Sequence, residues 1–348
     1  MFTFLGQLFS SIFLILATIV NSIIPLFAGN SLTDDRYYDK WSADDAYVVD
    51  YDSVIQKDPD EDLNILVITD VQLNGDEVLG ETRFKTEELI TKLVNKTDPD
   101  LIVVVGDNAI GIFAYHWFVE FMDSFNIPWA PVMGNHDGQG LSSESWAAYK
   151  MIKADNCLFK FGPEDMGHGN YTVQIRQGNK FIHTLYLMDT HDSTDYIDGD
   201  IVLEDVYDGL WKNQIEWYKW NVNGLNELTN STVESTLFIH IPLPEYNNAY
   251  EAIGSDPTAF GQKSEYICCS GMNTGMFDVL KELGSTKNVI CGHDHVNNFS
   301  TNYQGIRLSY ATKTGTGSYH DTSIQGGSLL TIDENGTATF SHIDAATL

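Results

Sequence analysis

Five apolar runs in this sequence each end on a turn that carries an Asp, an Asn or a His. Residues 63–69 are followed by Asp70-Val71-Gln72, and 101–105 by Gly106-Asp107-Asn108. Residues 129–133 are followed by Gly134-Asn135-His136-Asp137, 236–239 by His240, and the run ending at Cys291 by Gly292-His293-Asp294-His295. Short, β-branched apolar runs bounded by glycine turns read as buried strands. A lone Asp or His at such a turn is usually a cap or a solvated loop residue. Open α/β sheets bind ligands outside the carboxyl ends of their strands, so five such ends point to one site.

Helical patterns alternate with the runs, at about 83–95, 115–124, 211–228 and 274–283. The first is expected to turn Phe84, Ile90, Leu93 and Val94 inward. This alternation is the signature of an α/β domain, read here as residues 63–348. Residues 30–62 are an acidic lead-in, expected to hug the surface. Residues 1–29 hold no Asp, Glu, Lys or Arg and are largely apolar, as in a signal peptide or, if uncleaved, a signal anchor. That places the chain outside the cell or in the secretory-pathway lumen, with membrane contact only through an uncleaved segment. Asn95, Asn170, Asn230, Asn298 and Asn335 open glycosylation tripeptides. Cys157 is expected to pair with Cys268 or Cys269, leaving Cys291 as a buried thiol. A net charge of −30 argues against nucleic acid, while leaving room for a small phosphorylated substrate if local positive charge overrides the field.

Carboxylate, imidazole and amide oxygen together suit manganese, zinc or iron, and no thiolate joins the set. Two ions roughly 3.5–4 Å apart can activate water and stabilise displacement at phosphorus, provided one carboxylate bridges them. Asp107, on a short glycine turn at the end of the run that reads as the most buried strand, is best placed to bridge.

The series Asp70, Gly106-Asp107, Gly134-Asn135-His136-Asp137, His240 and Gly292-His293-Asp294-His295 resembles the calcineurin-like metallophosphoesterases. Within them it is similar to the branch related to purple acid phosphatases. The resemblance implies a four-layer α/β/β/α sandwich, two mixed sheets flanked by helices. It also implies phosphomonoester hydrolysis by a metal-bridging hydroxide. The first ion would be held by Asp70, Gln72, Asp107 and His295, and the second by Asp107, Asn135, His240 and His293. Asn135 and His136 would contact the phosphate. His136 would protonate the leaving oxygen, with Asp137 orienting it.

Two positions depart from that pattern. The usual Asp-x-His is Asp70-Val71-Gln72, and the tyrosine expected three residues after the bridging aspartate is Ile110. An amide is a weaker ligand than an imidazole, so one alternative is a catalytically weak metal-binding or interaction protein; the other is a phosphodiesterase, which would use the same dinuclear site. Among the other histidines, His116 and His183 read as structural, and His168 and His342 as exposed. His191 and His320 are candidates to line the substrate pocket.

Overall fold

The run Leu101–Val105 is buried at all five positions, which a sheet permits only where both of its faces are covered. The computed structural model describes residues 37–49, 53–140, 142–198 and 201–348, so the expected targeting segment lies outside the described residues. In chain order the elements are β1 (Ser53–Gln56), β2 (Leu63–Ile68), α1 (Gly75–Val78), α2 (Glu81–Thr97), β3 (Leu101–Val105), α3 (Ile112–Asp123), β4 (Trp129–Val132) and α4 (Glu144–Met151). Then come β5 (Tyr171–Gln177), β6 (Lys180–Leu187), β7 (Ser193–Asp198), β8 (Ile201–Tyr207), α5 (Lys212–Thr229), β9 (Ser235–Phe238) and α6 (Glu245–Glu251). The chain closes with α7 (Met276–Leu283), β10 (Thr286–Cys291), β11 (Ser300–Tyr303), β12 (Ile306–Tyr310), β13 (Gly326–Ile332) and β14 (Ala338–Asp344).

Two mixed sheets form, one ordered β14-β13-β2-β3-β4 and the other β1-β5-β6-β9-β10-β12-β11, with β7 and β8 as a separate hairpin. The strands β2, β3 and β4 are mutually parallel, as are β6, β9, β10 and β12. Alternation along the strands explains the layers. Leu185, Phe238 and Ile290 join Val67 and Val103 in a core between the sheets. Their chain neighbours Tyr186, Leu237 and Val289 join Ile215, Tyr218, Phe277 and Leu280 of α5 and α7 in a second core. Helix α2 covers the first sheet through Leu89, Ile90, Leu93 and Val94. The fold is therefore the α/β/β/α sandwich, helices outside and two sheets face to face.

Several expectations need correcting. Phe84 is 58% exposed. The buried position on that turn of α2 is Thr86, whose hydroxyl pairs with Thr316 Oγ1 at 2.7 Å. The lead-in contributes β1, which adds parallel to β5; its acidic flanks hid a short run with Val54 and Ile55. All four cysteines are free. Cys157 packs against the core between the sheets and Cys269 against the helix-side core, so the expected pairing does not form; Cys291 is the buried thiol the sequence suggests. Asn170 and Asn298 are buried, and their side chains bond to Met166 O and Gln262 N, so two of the five glycosylation tripeptides are inaccessible in the folded chain. No helix among the described residues is long and apolar enough to cross a membrane.

Candidate metal centre

The carboxyl ends of β2, β3 and β4 in one sheet meet those of β9 and β10 in the other. Short turns project the side chains there, and Asp70, Gln72, Asp107 and His293 all adopt positive φ, between 48° and 77°. Such strain in non-glycine residues costs of order 1–3 kcal/mol each and persists where surrounding structure fixes it. The fixing contacts cross between sheets. His240 Nδ1 donates to Val105 O at 2.8 Å, and the backbone N–H of His293 donates to Asp70 Oδ2 at 3.2 Å.

Asp107 lies at the middle, 1% exposed. Its Oδ1 faces His240 Nε2 at 3.3 Å and accepts from the His136 backbone N–H at 2.9 Å. Its Oδ2 accepts from Gln72 Nε2 at 2.8 Å and lies 4.0 Å from His136 Nε2. On one flank, Asp70 Oδ1 faces His295 Nε2 at 3.4 Å, and ligand atoms of Asp70, Asp107 and His295 lie within 4.8 Å of one another. The other flank carries Asn135, His240 and His293, with the two imidazoles 5.1 Å apart between centroids. Three buried polar atoms here have no hydrogen-bond partner: Asp70 Oδ1, Asn135 Oδ1 and His240 Nε2. Asp70 Oδ1 and His240 Nε2 have only their carboxylate–imidazole contacts and Asn135 Oδ1 has none; buried polar atoms are normally hydrogen-bonded, so three such atoms at one place point to a missing partner. Each is a competent ligand for a divalent ion, so the donor set fits the expected metals.

The second contacts set the imidazole tautomers. His240 and His295 give their Nδ1 protons to Val105 O and Tyr319 O, leaving Nε2 toward the carboxylates. Burial alone would lower the His240 pKa, but the Asp107 charge overcomes it and holds the group up at about 10. Burial, together with the His240 charge, pushes His293 down to about 3, so this ring is neutral and able to ligate. Asp70 and Asp107 are both held below the usual carboxylate range: burial opposes this, but His295 for Asp70 and His240 for Asp107 outweigh it.

These shifts give a sign to the stability of the metal-free protein. His240 has a folded pKa above its unfolded value, so its contribution is complete below about 6.5 and disappears as pH rises toward about 10. Asp70 and Asp107 act oppositely, losing their contribution only as pH falls below the ordinary carboxylate range. Thermal melts with chelator should therefore show Tm falling between about pH 6.5 and 9.5, and saturating Mn²⁺ should flatten that fall because ligation needs neutral imidazole. A chelated Tm that rises across this interval would contradict the His240–Asp107 pairing.

The structure corrects two expected roles. Asp137 does not orient His136: its carboxylate accepts from Gly134 N, Asn108 N and Asn108 Nδ2 at 2.7, 2.7 and 2.8 Å, tying the turn after β4 to the turn after β3. Burial and the Asp107 charge raise the Asp137 pKa to about 7, while the Tyr115 hydroxyl and the Gly134 N–H favour its anion. His136 instead pairs through Nδ1 with Gln139 Oε1 at 2.7 Å. Gln72 does not offer its oxygen to the centre either. Its NH₂ faces Asp107, and its Oε1 accepts from Lys313 Nζ at 3.4 Å.

Sequence reasoning passed over Gln139 and Lys313, although Lys313 follows the apolar strand β12 much as Asp70 follows β2. It also passed over two rings that wall the centre, Tyr207 edge-on to His293 and Tyr319 stacked on His295. His183 is buried and structural, between Gly336 O and Thr236 Oγ1, whereas His116 is exposed on α3. His168 and His342 are mostly covered rather than exposed, bonded to Tyr38 and Ser145 and to Ser328 and Asn298. His191 stacks on Trp211 and bonds Gln214; His320 meets Ser318 O.

The calcineurin-like phosphoesterase family model matches residues 63–297. Similar proteins include "Probable inactive purple acid phosphatase 14" of Arabidopsis thaliana, 32% identical over 68% of this chain and 62% of that protein. "Phosphatase DCR2" of Saccharomyces cerevisiae is 31% identical over 62% of this chain and 39% of that protein. A solved dimetal phosphatase from Danio rerio is 14% identical with a TM-score of 0.49, covering 78% of this chain and 93% of that one. The chain spans less than two thirds of the length of these two sequence relatives. A family match that starts at β2 and runs through His295 takes in every strand end of the centre, and the chain belongs to the calcineurin-like phosphoesterases.

Proposed function

We propose that the chain is a metal-dependent phosphatase that hydrolyses phosphomonoesters with two divalent or di/trivalent ions, manganese, zinc or iron. The observation that carries this reading is the set of buried ligand atoms without a hydrogen bond, Asp70 Oδ1, Asn135 Oδ1 and His240 Nε2, gathered around the Asp107 carboxylate. Asp70, Asp107 and His295 would hold one ion; Asp107, Asn135, His240 and His293 would hold the other. Such a pair supplies a nucleophile at neutral pH and offsets charge on the phosphoryl oxygens.

The remaining work falls to side chains. His136 is about one third exposed, more open than Asp107 or His240, and so faces arriving substrate. Its Nδ1 proton is committed to Gln139, so its Nε2 can give a proton to the leaving oxygen only from the doubly protonated ring. Asn135 carries an amide N–H₂ beside its free oxygen and can hold a phosphate oxygen. The substrate is a small phosphorylated compound rather than nucleic acid, in keeping with the net charge. The site of action is secreted or lumenal, reached through residues 1–29.

The test is p-nitrophenyl phosphate hydrolysis with added Mn²⁺, Zn²⁺ or Fe. His136→Ala should lower kcat by about 10²–10⁴-fold with metal content unchanged. Gln139→Ala should lower it about tenfold, through lost orientation. Wild type no faster than His136→Ala with every metal would leave the second reading, a catalytically weak metal-binding protein, which the engaged Gln72 favours. Faster hydrolysis of bis(p-nitrophenyl) phosphate would make it a diesterase.

A further inference from the structure

Lys313 is 3% exposed, and its ammonium is held at the edge of the centre by Asp70 O at 2.9 Å and Gln72 Oε1 at 3.4 Å. A lysine side chain donates and does not accept when charged, so the oxygen of Gln72 must face it. The amide nitrogen is then turned to Asp107 Oδ2 at 2.8 Å, where a carboxylate requires a donor. Rotating the amide by half a turn would place N–H against ammonium and oxygen against carboxylate. Both neighbours therefore enforce one orientation, and in it Gln72 shows the centre a proton and no lone pair. The same ammonium adds a positive charge behind Asp70, whose carboxylate is the main attraction for an ion on that flank.

We infer that Lys313 is a positioning residue that locks Gln72 as a hydrogen-bond donor to Asp107 and thereby weakens the metal position formed by Asp70, Asp107 and His295. That position is left with three protein ligands and a fixed cation nearby, so its ion exchanges readily. Among the described residues no lysine or arginine bonds the side chains of Asn135, His240 or His293 on the other side. The inference rests on the metallophosphatase reading for the presence of two ions, but it concerns binding and not turnover.

Mn²⁺ titration by calorimetry, with metal analysis after dialysis, tests it on the full chain. Asp70→Asn identifies the step that belongs to this flank by removing it. Gln72→Ala should leave that step within about twofold of wild type, because the amide is not a ligand. Gln72→His should tighten it tenfold or more, and Lys313→Met should tighten it by a similar factor, because it removes the positive charge behind Asp70 and leaves Asp107 alone to orient the Gln72 amide. A purely structural role for Lys313 would move affinity the other way. If Lys313→Met does not fold, Lys313→Gln, which removes the charge but keeps a polar group against Asp70 O, takes its place with the same expectation, and a step no tighter than wild type in the folded Lys313 variant overturns the inference. A Gln72→Ala step weakened tenfold, or Gln72→His no tighter than wild type, overturns the assignment while the phosphatase reading stands. No Mn²⁺ binding by wild type or any variant overturns both.

Discussion

On the proposed phosphatase function, Asp107→Asn is expected to lower kcat/KM for p-nitrophenyl phosphate by about three orders of magnitude, comparable to removing a principal electrostatic stabiliser, and to abolish retained metal. The two carboxylate oxygens serve opposite flanks: Oδ1 faces His240 and takes the His136 backbone N–H, while Oδ2 takes the Gln72 N–H₂. An amide has one acceptor end. Whichever way Asn is turned, its own N–H₂ meets either the His136 N–H or the Gln72 N–H₂, and one ion loses its bridging oxygen. The charge is lost as well. His240 is held protonated in the metal-free chain chiefly by Asp107 acting against burial, so its imidazole should titrate well below about 10 in the variant. Two measurements separate these effects. Metal analysis reads the bridge, and an NMR titration of the chelated protein reads the His240 pair. Wild-type metal content with reduced activity would mean that Asp107 acts on substrate and not as the bridge.

How far the sequence foretold this centre depends on what each residue does. Asp70, Asp107, Asn135, His240, His293 and His295 each follow an apolar run, and the structure brings them to one place because parallel strands carry their ends to a common edge. The sheets are legible for the same reason, since continuous runs such as Leu101–Val105 demand cover on both faces. The supporting contacts leave no such trace. Gln139 lies in a polar loop, and its reach to His136 follows from turn geometry that no periodicity encodes. Asp137 is a carboxylate beside a histidine, which invites a catalytic pairing, but three backbone and amide donors from Gly134 and Asn108 claim it first. Gln72 reads as a weak ligand until its far partner is known, and Lys313 is 241 residues away. A lysine in a glycine-rich segment reads as solvated. Only the packed chain shows it buried.

The turn after β4 should prove as intolerant of added bulk as the ligands are of lost charge. A Cβ built on Gly134 would lie 2.2 Å from the Asp107 backbone nitrogen and 2.4 Å from its Oδ1. The first obstacle is backbone, held at Asp107 by the turn after β3, and the second is the carboxylate at the middle of the cluster, the one proposed to bridge. Neither can rotate away as a flexible side chain would. The β3 and β4 turns must therefore separate, stretching the Asp137 contacts to Gly134 and Asn108 that clamp them together. Overpacking a rigid site costs about 1–3 kcal/mol, and loosening a buried carboxylate network adds to it. Gly134→Ala is thus expected to destabilise the chain by roughly 2–4 kcal/mol and to lose metal on both flanks, since Asp107 is shared. Gly75→Ala is the control, because a Cβ there meets nothing within 4 Å, and its stability should stay within about 0.5 kcal/mol of wild type. Urea melts with and without Mn²⁺ make the comparison. A Gly134→Ala protein that keeps wild-type stability and Mn²⁺ affinity would mean the two turns can part without moving the bridge, contrary to the contacts that join them.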